Sequence, residues 1–177
     1  MKLIKKILLN VVIIVWLIIA LFTTICLLSF NKFGTSVIGK NTLLIIDSDE
    51  LEPDYKEGDL LVIKRNSDSK INVGDKVFYY NSSMNTSTLV FVGEIEKKTS
   101  SGKSEPTYTI DKEKVSSEYI IGKTTSVKKY SKLGTVLGAL TSKWGFLFFI
   151  LFPMLFAIIY EIMAIVDSTK NKTATSK

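Results

Sequence analysis

Residues 48–65 read Ser48-Asp49-Glu50-Leu51-Glu52-Pro53-Asp-Tyr-Lys-Glu57-Gly58-Asp59-Leu60-Leu-Val-Ile63-Lys64-Arg65. Glu57-Gly58-Asp59 is a turn signal, and the apolar run after it has the length and composition of a strand. The same grammar recurs where Val77-Phe-Tyr-Tyr80 follows Val73-Gly74-Asp75. Outward from these two, strand character recurs in Thr42-Leu-Leu-Ile-Ile46, Leu89-Val-Phe-Val92, Glu94-Ile-Glu96, Tyr108-Thr-Ile110, Tyr119-Ile-Ile121 and Thr124-Thr-Ser-Val127, with a loop at 99–102. Short strands separated by Gly, Asn, Asp and Ser turns predict a mostly β domain over residues 31–143, closed or partly closed as a β barrel. No long helical period is legible within it. The polar residues after Asp167 read as a disordered tail.

Two apolar runs flank this domain. The first, from Ile7 to Phe30, carries no charge. As a helix it would span roughly 35 Å, enough for a hydrocarbon core of about 30 Å. A cleavable secretory signal has a shorter apolar region and a small-residue cleavage site. This run is too long for that and ends in Leu-Leu-Ser-Phe-Asn-Lys, so it reads as an anchor. The second run, Trp144 to Val166, contains Pro153 and Glu161. Proline is tolerated in membrane helices, and a carboxylate near one end reaches the interface. A functional intramembrane carboxylate is the sharper reading of Glu161, interfacial placement the plainer one. The expected organisation is a cytoplasmic N-terminus and first transmembrane helix (1–30), an extracytoplasmic β domain (31–143), a second transmembrane helix (144–167) and a cytoplasmic tail (168–177). Lys2, Lys5 and Lys6 precede the first span, and Lys170, Lys172 and Lys177 follow the second. Positive residues stay inside, which places both termini in the cytoplasm of a two-pass cell-membrane protein.

The chain has no histidine and a single cysteine, Cys26, inside the first apolar run. That composition excludes imidazole metal sites, Ser-His and Cys-His mechanisms, and an intrachain disulfide. No cofactor or metal is expected. The net charge of +6 comes from scattered lysines with no aromatic-rich basic stripe, so it suits a solvated, membrane-facing surface and not nucleic acid.

Residues 48–65 resemble the nucleophile segment of type I signal peptidases, whose pattern is roughly Ser-Gly-Ser-Met-Glu-Pro, a spacer, then Gly-Asp-Leu-Val. Ser48, Glu52, Pro53, Gly58, Asp59 and Leu60 match it. The likeness, to the branch that includes the endoplasmic-reticulum type, covers most of residues 36–166. It includes Ile71-Asn-Val-Gly-Asp75-Lys-Val77, Val92-Gly-Glu-Ile-Glu-Lys-Lys98, Tyr119-Ile-Ile-Gly-Lys123, Phe152-Pro153 and Ile158-Ile-Tyr-Glu-Ile162. The order of these segments between two spans is more specific than any one of them. The resemblance implies a signal-peptidase-like β fold and membrane-bound handling of exported polypeptides.

Three departures bear on activity. Three residues before Pro53, the family's serine position holds Glu50, a carboxylate that cannot become an alkoxide. Aligning Glu94-Ile95-Glu96 puts the general base at Val90, or at Phe91, and neither takes a proton. The family's Lys-Gly-Asp block is reduced to Thr109-Ile-Asp-Lys-Glu113, leaving Asp111 as its one remnant. Loss of a catalytic member of such a site costs on the order of 10⁴–10⁶ in rate. Ser48 is the alternative nucleophile. On an extended segment it would share Glu50's side, roughly 6–7 Å away, and it would need a new base, with Lys64 and Lys76 the candidates. Glu50 and Glu52 as an acid pair lack a partner for aspartic chemistry and read as solvated.

The expectation is therefore a non-catalytic, signal-peptidase-like membrane protein. Its groove at Ser48, Asp49, Glu50 and Leu51 would bind extended polypeptide by strand addition. The lipid bilayer and exported or surface proteins with signal peptides are the implied partners. Inactive relatives of this family are associated with assembly of pili and similar surface polymers, so the resemblance implies a chaperone or scaffold role there. An active signal peptidase with a non-standard site, and an anchored β domain with no surviving groove, are the other readings.

Overall fold

A computed structural model describes residues 2–67, 70–80, 90–100 and 105–175. Two compact units emerge, residues 24–138 and residues 1–23 with 139–177. The first is mostly β. Its strands are β1 (Thr35–Ile38), β2 (Asn41–Ile45), β3 (Leu60–Lys64), β4 (Lys76–Tyr80), β5 (Val90–Thr99), β6 (Thr107–Ile110), β7 (Glu113–Ser116), β8 (Ile120–Lys123) and β9 (Val127–Tyr130). They form two antiparallel sheets, ordered β1-β2-β3-β9 and β7-β6-β5-β4-β8.

The Gly-Asp turns explain where β3 and β4 start. Gly58 and Gly74 both take positive φ, +85° and +87°, where a Cβ would be strained. In each turn the aspartate reaches back three residues. Asp59 Oδ2 accepts the Lys56 N–H at 3.1 Å, and Asp75 Oδ2 accepts the Asn72 N–H at 2.7 Å. The backbone closes the same loop, Asp59 N–H to Lys56 O and Asp75 N–H to Asn72 O. These are self-capped turns of the kind aspartate favours. Asp75 is also paired with Lys123 at 2.6 Å, and that ammonium holds its carboxyl below the ordinary Asp value.

Period-two alternation sorts the apolar side chains into layers. On β4, Val77 and Tyr79 enter one core with Ile71, Ile95, Tyr108 and Ile110, while Phe78 enters a second with Leu61, Ile63 and Ile121. Both faces of β4 are buried, which is why it reads as an unbroken apolar run. A third cluster, Cys26 with Leu60 and Leu137, covers the other face of the first sheet.

The expected barrel does not close: the described strands make two separate sheets. The sheets approach where β8 lies against β3. A Cβ on Gly122 would sit 2.6 Å from the Lys64 carbonyl oxygen, so the contact admits only glycine. It is face packing, with no ladder of hydrogen bonds to join the edges. The expected strands at 89–92 and 94–96 are one strand, β5; Leu89 and residues 101–102 of the expected loop lie outside the described residues. β1 and β7 were not legible, being four-residue segments with little apolar content.

Helices make up the rest. α1 (Lys2–Leu28) contains the first apolar run; α2 (Leu133–Thr141), a helix inside the stretch read as all strand and loop, buries Gly134 and Leu137. After α3 (Lys143–Phe146), a π-helical turn at Leu147–Leu151 leads into α4 (Phe152–Thr175). Pro153 comes directly after the π turn inside a continuous helical run, so its missing N–H removes one α-helical partner from the preceding turn. The tail is not disordered as expected: the helix runs on to Thr175, because elongating an existing helix is far cheaper than starting one. Two stretches, Asn10–Leu28 and Lys143–Met163, are long and apolar enough to cross a membrane. Their large side chains, such as Ile14, Leu17, Phe149 and Phe156, point outward. An apolar helix exposed on most of its circumference suits lipid better than water.

Candidate functional site

Ser48 follows β2 in extended conformation, at φ −148° and ψ 166°, and residues Asp49–Leu51 form one 3-10 turn. The turn closes through the Glu52 N–H to Asp49 O at 3.1 Å, and Tyr55 N–H bonds Leu51 O at 3.1 Å. The segment is thus not the extended strand on which Ser48 and Glu50 would share a side. The bond between Glu52 and Pro53 is cis.

Burial within the segment is uneven. Asp49 is exposed and Ser48 half-buried, whereas Leu51 packs against the cluster of Leu44, Ile46, Leu61, Ile63, Phe78, Val90 and Ile121. Tyr55 joins it with its ring 5.4 Å from that of Phe78, and burial pushes its hydroxyl pKa up, assisted by the Asp54 charge. Val90, the aligned base position, is a full member of the cluster at 3% exposure. It opens β5 opposite Tyr80. The fold therefore brings the nucleophile-like segment and the base-like position onto one patch, and the patch is hydrocarbon. Phe91, the other aligned position, is half-buried against the opposite core, 6.2 Å from the Tyr79 ring.

The substitute bases lie elsewhere. Lys64 pairs with Asn41, at the end of β2 remote from Ser48. The four residue steps from Asn41 to Ile45 alone span about 13 Å. Lys76 pairs with Glu94, four residues along β4 from Tyr80. A general base acts from about 2.6–3.2 Å. The lysine that does reach the loop after the segment is Lys129 on β9. Its ammonium donates to the Asp54 carbonyl at 3.0 Å and stands 4.0 Å from the buried Asp59 carboxylate. Sequence reading missed it, because nothing local signals that β9 pairs with β3.

Asp111 has a structural explanation. It forms, with Lys112, the two-residue turn between β6 and β7, with φ of 49° and 67°. Positive φ at both positions is the hairpin geometry that Asp tolerates. Its charge, after burial, helps raise the Tyr79 hydroxyl. Among the described residues there is no cluster of three or more His, Cys, Asp or Glu side chains arranged to hold a metal. No protein-family model and no curated protein matches the chain.

A concavity lies at the margin of the two sheets, with a volume of about 360 Å³. It is lined by aromatic and basic residues that the sequence reading did not single out.

Proposed function

We propose that this chain is a membrane-anchored, non-catalytic relative of type I signal peptidases that holds extended segments of exported polypeptides, as a chaperone or scaffold in secretion or surface-polymer assembly. The β unit faces outward and both termini lie in the cytoplasm. The observation that carries the reading is Val90, buried among Leu44, Leu61, Phe78 and Ile121 where the family has its general base. A serine hydroxyl, even if one stood at position 50, would have no proton acceptor there. Retention of the turn-and-strand framework around a site stripped of its chemistry fits a binding role. The edge strand β9, whose Lys129 reaches the loop after the segment, offers backbone groups to an extended peptide.

The test uses the full chain in detergent with a labelled preprotein. Photo-crosslinking from position 48 or 49 to the preprotein, with no cleavage, is the expected result. Cleavage that Ser48→Ala abolishes would overturn the non-catalytic reading, and absence of any crosslink would overturn the binding role.

A further inference from the structure

Phe33, Tyr80 and Tyr119 make an aromatic corner in the cleft of about 360 Å³. Phe33 stacks on Tyr80 with ring centroids 4.3 Å apart, and Tyr119 meets Phe33 edge-on at 6.0 Å. The Tyr80 hydroxyl lies 2.7 Å from Thr35 Oγ1 and accepts from Asn31 Nδ2 at 3.1 Å, which fixes the ring. Around this corner stand Lys32, Lys40 and Arg65. None of the three forms an ion pair among the described residues. The Lys32 ammonium sits 5.0 Å over the Phe33 ring. The Arg65 N–H donates to the Lys40 carbonyl at 2.8 Å, tying two of the basic residues together. Glu118 is the one acid on the lining. Three cations against one carboxylate select an anion, and the aromatic wall selects one attached to an apolar or amphipathic body.

The cleft's place in the chain indicates which anion. The last turn of α1 is fastened to β1: the Ser36 hydroxyl donates to the Cys26 carbonyl at 2.8 Å, and the Val37 N–H donates to Ser29 O at 3.0 Å. Val37 itself lines the cleft. Lys32 comes four residues after Leu28, where the apolar stretch ends, so at most about 14 Å of chain separates them. The headgroup layer beyond the hydrocarbon core is roughly 5–8 Å deep on each side. With α1 across a bilayer, the length of chain after Leu28 keeps Lys32 within reach of the headgroup layer.

The geometry points to a binding site for the anionic headgroup of a membrane phospholipid, its phosphate met by Lys40 and Arg65 and its glycerol stem by the aromatic corner. The site rests on α1 being a membrane span and is independent of any polypeptide bound at Ser48–Leu51.

The full chain, purified in detergent, is titrated with dioctanoyl phosphatidylglycerol or dioctanoyl phosphatidylcholine, and retained lipid is counted by native mass spectrometry. One phosphatidylglycerol is expected to be held in preference to phosphatidylcholine. Lys40→Ser with Arg65→Ser should weaken it about 25-fold, at about fivefold per charge. Glu118→Gln should tighten it about fivefold by the same reasoning, a gain that misfolding cannot produce. Lys97→Ser with Lys128→Ser removes the same charge from exposed lysines outside the cleft and should change affinity less than about twofold. Equal loss in both double variants, or equal retention of the two lipids, overturns the site. Inorganic phosphate binding as tightly as the lipid, or a hexa-aspartate peptide displacing it at lower concentration, overturns the lipid assignment. Carbonate extraction separates the premise from the conclusion. A chain that stays in the membrane but shows no headgroup preference sinks this inference alone, and a chain that washes off removes its basis.

Discussion

The indole N–H of Trp16 donates to the carbonyl oxygen of Phe149 at 2.9 Å, and Phe149 stands four residues before Pro153. In a continuous α-helix that carbonyl would accept from residue 153, which as proline has no N–H. The adjoining π turn at Leu147–Leu151 loosens the same stretch of the ladder. A side chain from the first apolar helix thus satisfies a backbone acceptor that the second cannot satisfy in α-helical register. In hydrocarbon an unmet carbonyl is costly.

Trp16→Phe should lower the stability of the full chain by about 0.6 kcal/mol, the average for interhelical hydrogen bonds in membranes, and by no more than about 1.7 kcal/mol. In Pro153→Ala the restored N–H offers the carbonyl an in-helix partner, and the same Trp16→Phe change should cost less. A double-mutant cycle on unfolding in mixed micelles reads the difference. Equal costs in the two backgrounds would show that Trp16 does not serve that carbonyl.

Val90→Ala should destabilise the β unit by about 2 kcal/mol, from two lost carbons and the cavity they leave. Val90→Lys should cost more, because the ammonium would enter an apolar cluster without a partner. Chemical denaturation of the two variants gives the order; a Lys variant as stable as the parent would mean that position 90 opens to solvent.

Unmodified protein should cleave no preprotein above background, and Glu50→Ser alone should leave it inactive. Glu50→Ser combined with Val90→His or Val90→Lys is the smallest change that supplies both groups. Gel assays on a labelled preprotein decide activity, and cleavage by Glu50→Ser alone would require a base nearer than Lys64 or Lys76.

Asp75→Asn should destabilise the chain at neutral pH. The Asp75 carboxyl is held below its ordinary value by Lys123, so the pair's contribution is fully present above about pH 3.9. It is lost as pH falls through the lower folded-state value. The gap between parent and variant should be wide at pH 7 and close in stronger acid, as thermal unfolding at the two extremes would reveal. A gap that persists unchanged in acid would show that the carboxylate charge is not what stabilises the turn.

Topology is read by labelling. Ser100 is exposed at the end of β5, and Ser100→Cys in a Cys26→Ala background should react with an impermeant thiol reagent on intact cells. Reaction only after lysis reverses the orientation.

The sequence by itself was enough for β3, β4 and both apolar runs, because their signals are local. A Gly-Asp turn before four apolar residues, or an uncharged run of membrane length, leaves few alternatives. It was also enough to deprive position 50 of a nucleophile, since Glu50 cannot be an alcohol in any fold. Tertiary structure alone decided the remainder. It took antiparallel pairing across more than sixty residues, β3 with β9, to bring Lys129 to the Asp54 carbonyl. Only burial, which depends on what packs around a side chain, showed that Val90 sits in hydrocarbon beside Phe78 and Ile121. Only the pairing of the strands showed two separate sheets in place of one barrel, with Gly122 of β8 close against the Lys64 carbonyl of β3. The basic, aromatic cleft gathers Lys32 and Lys40 with Arg65 and Tyr119 from three separate stretches, so no short window of sequence contains it.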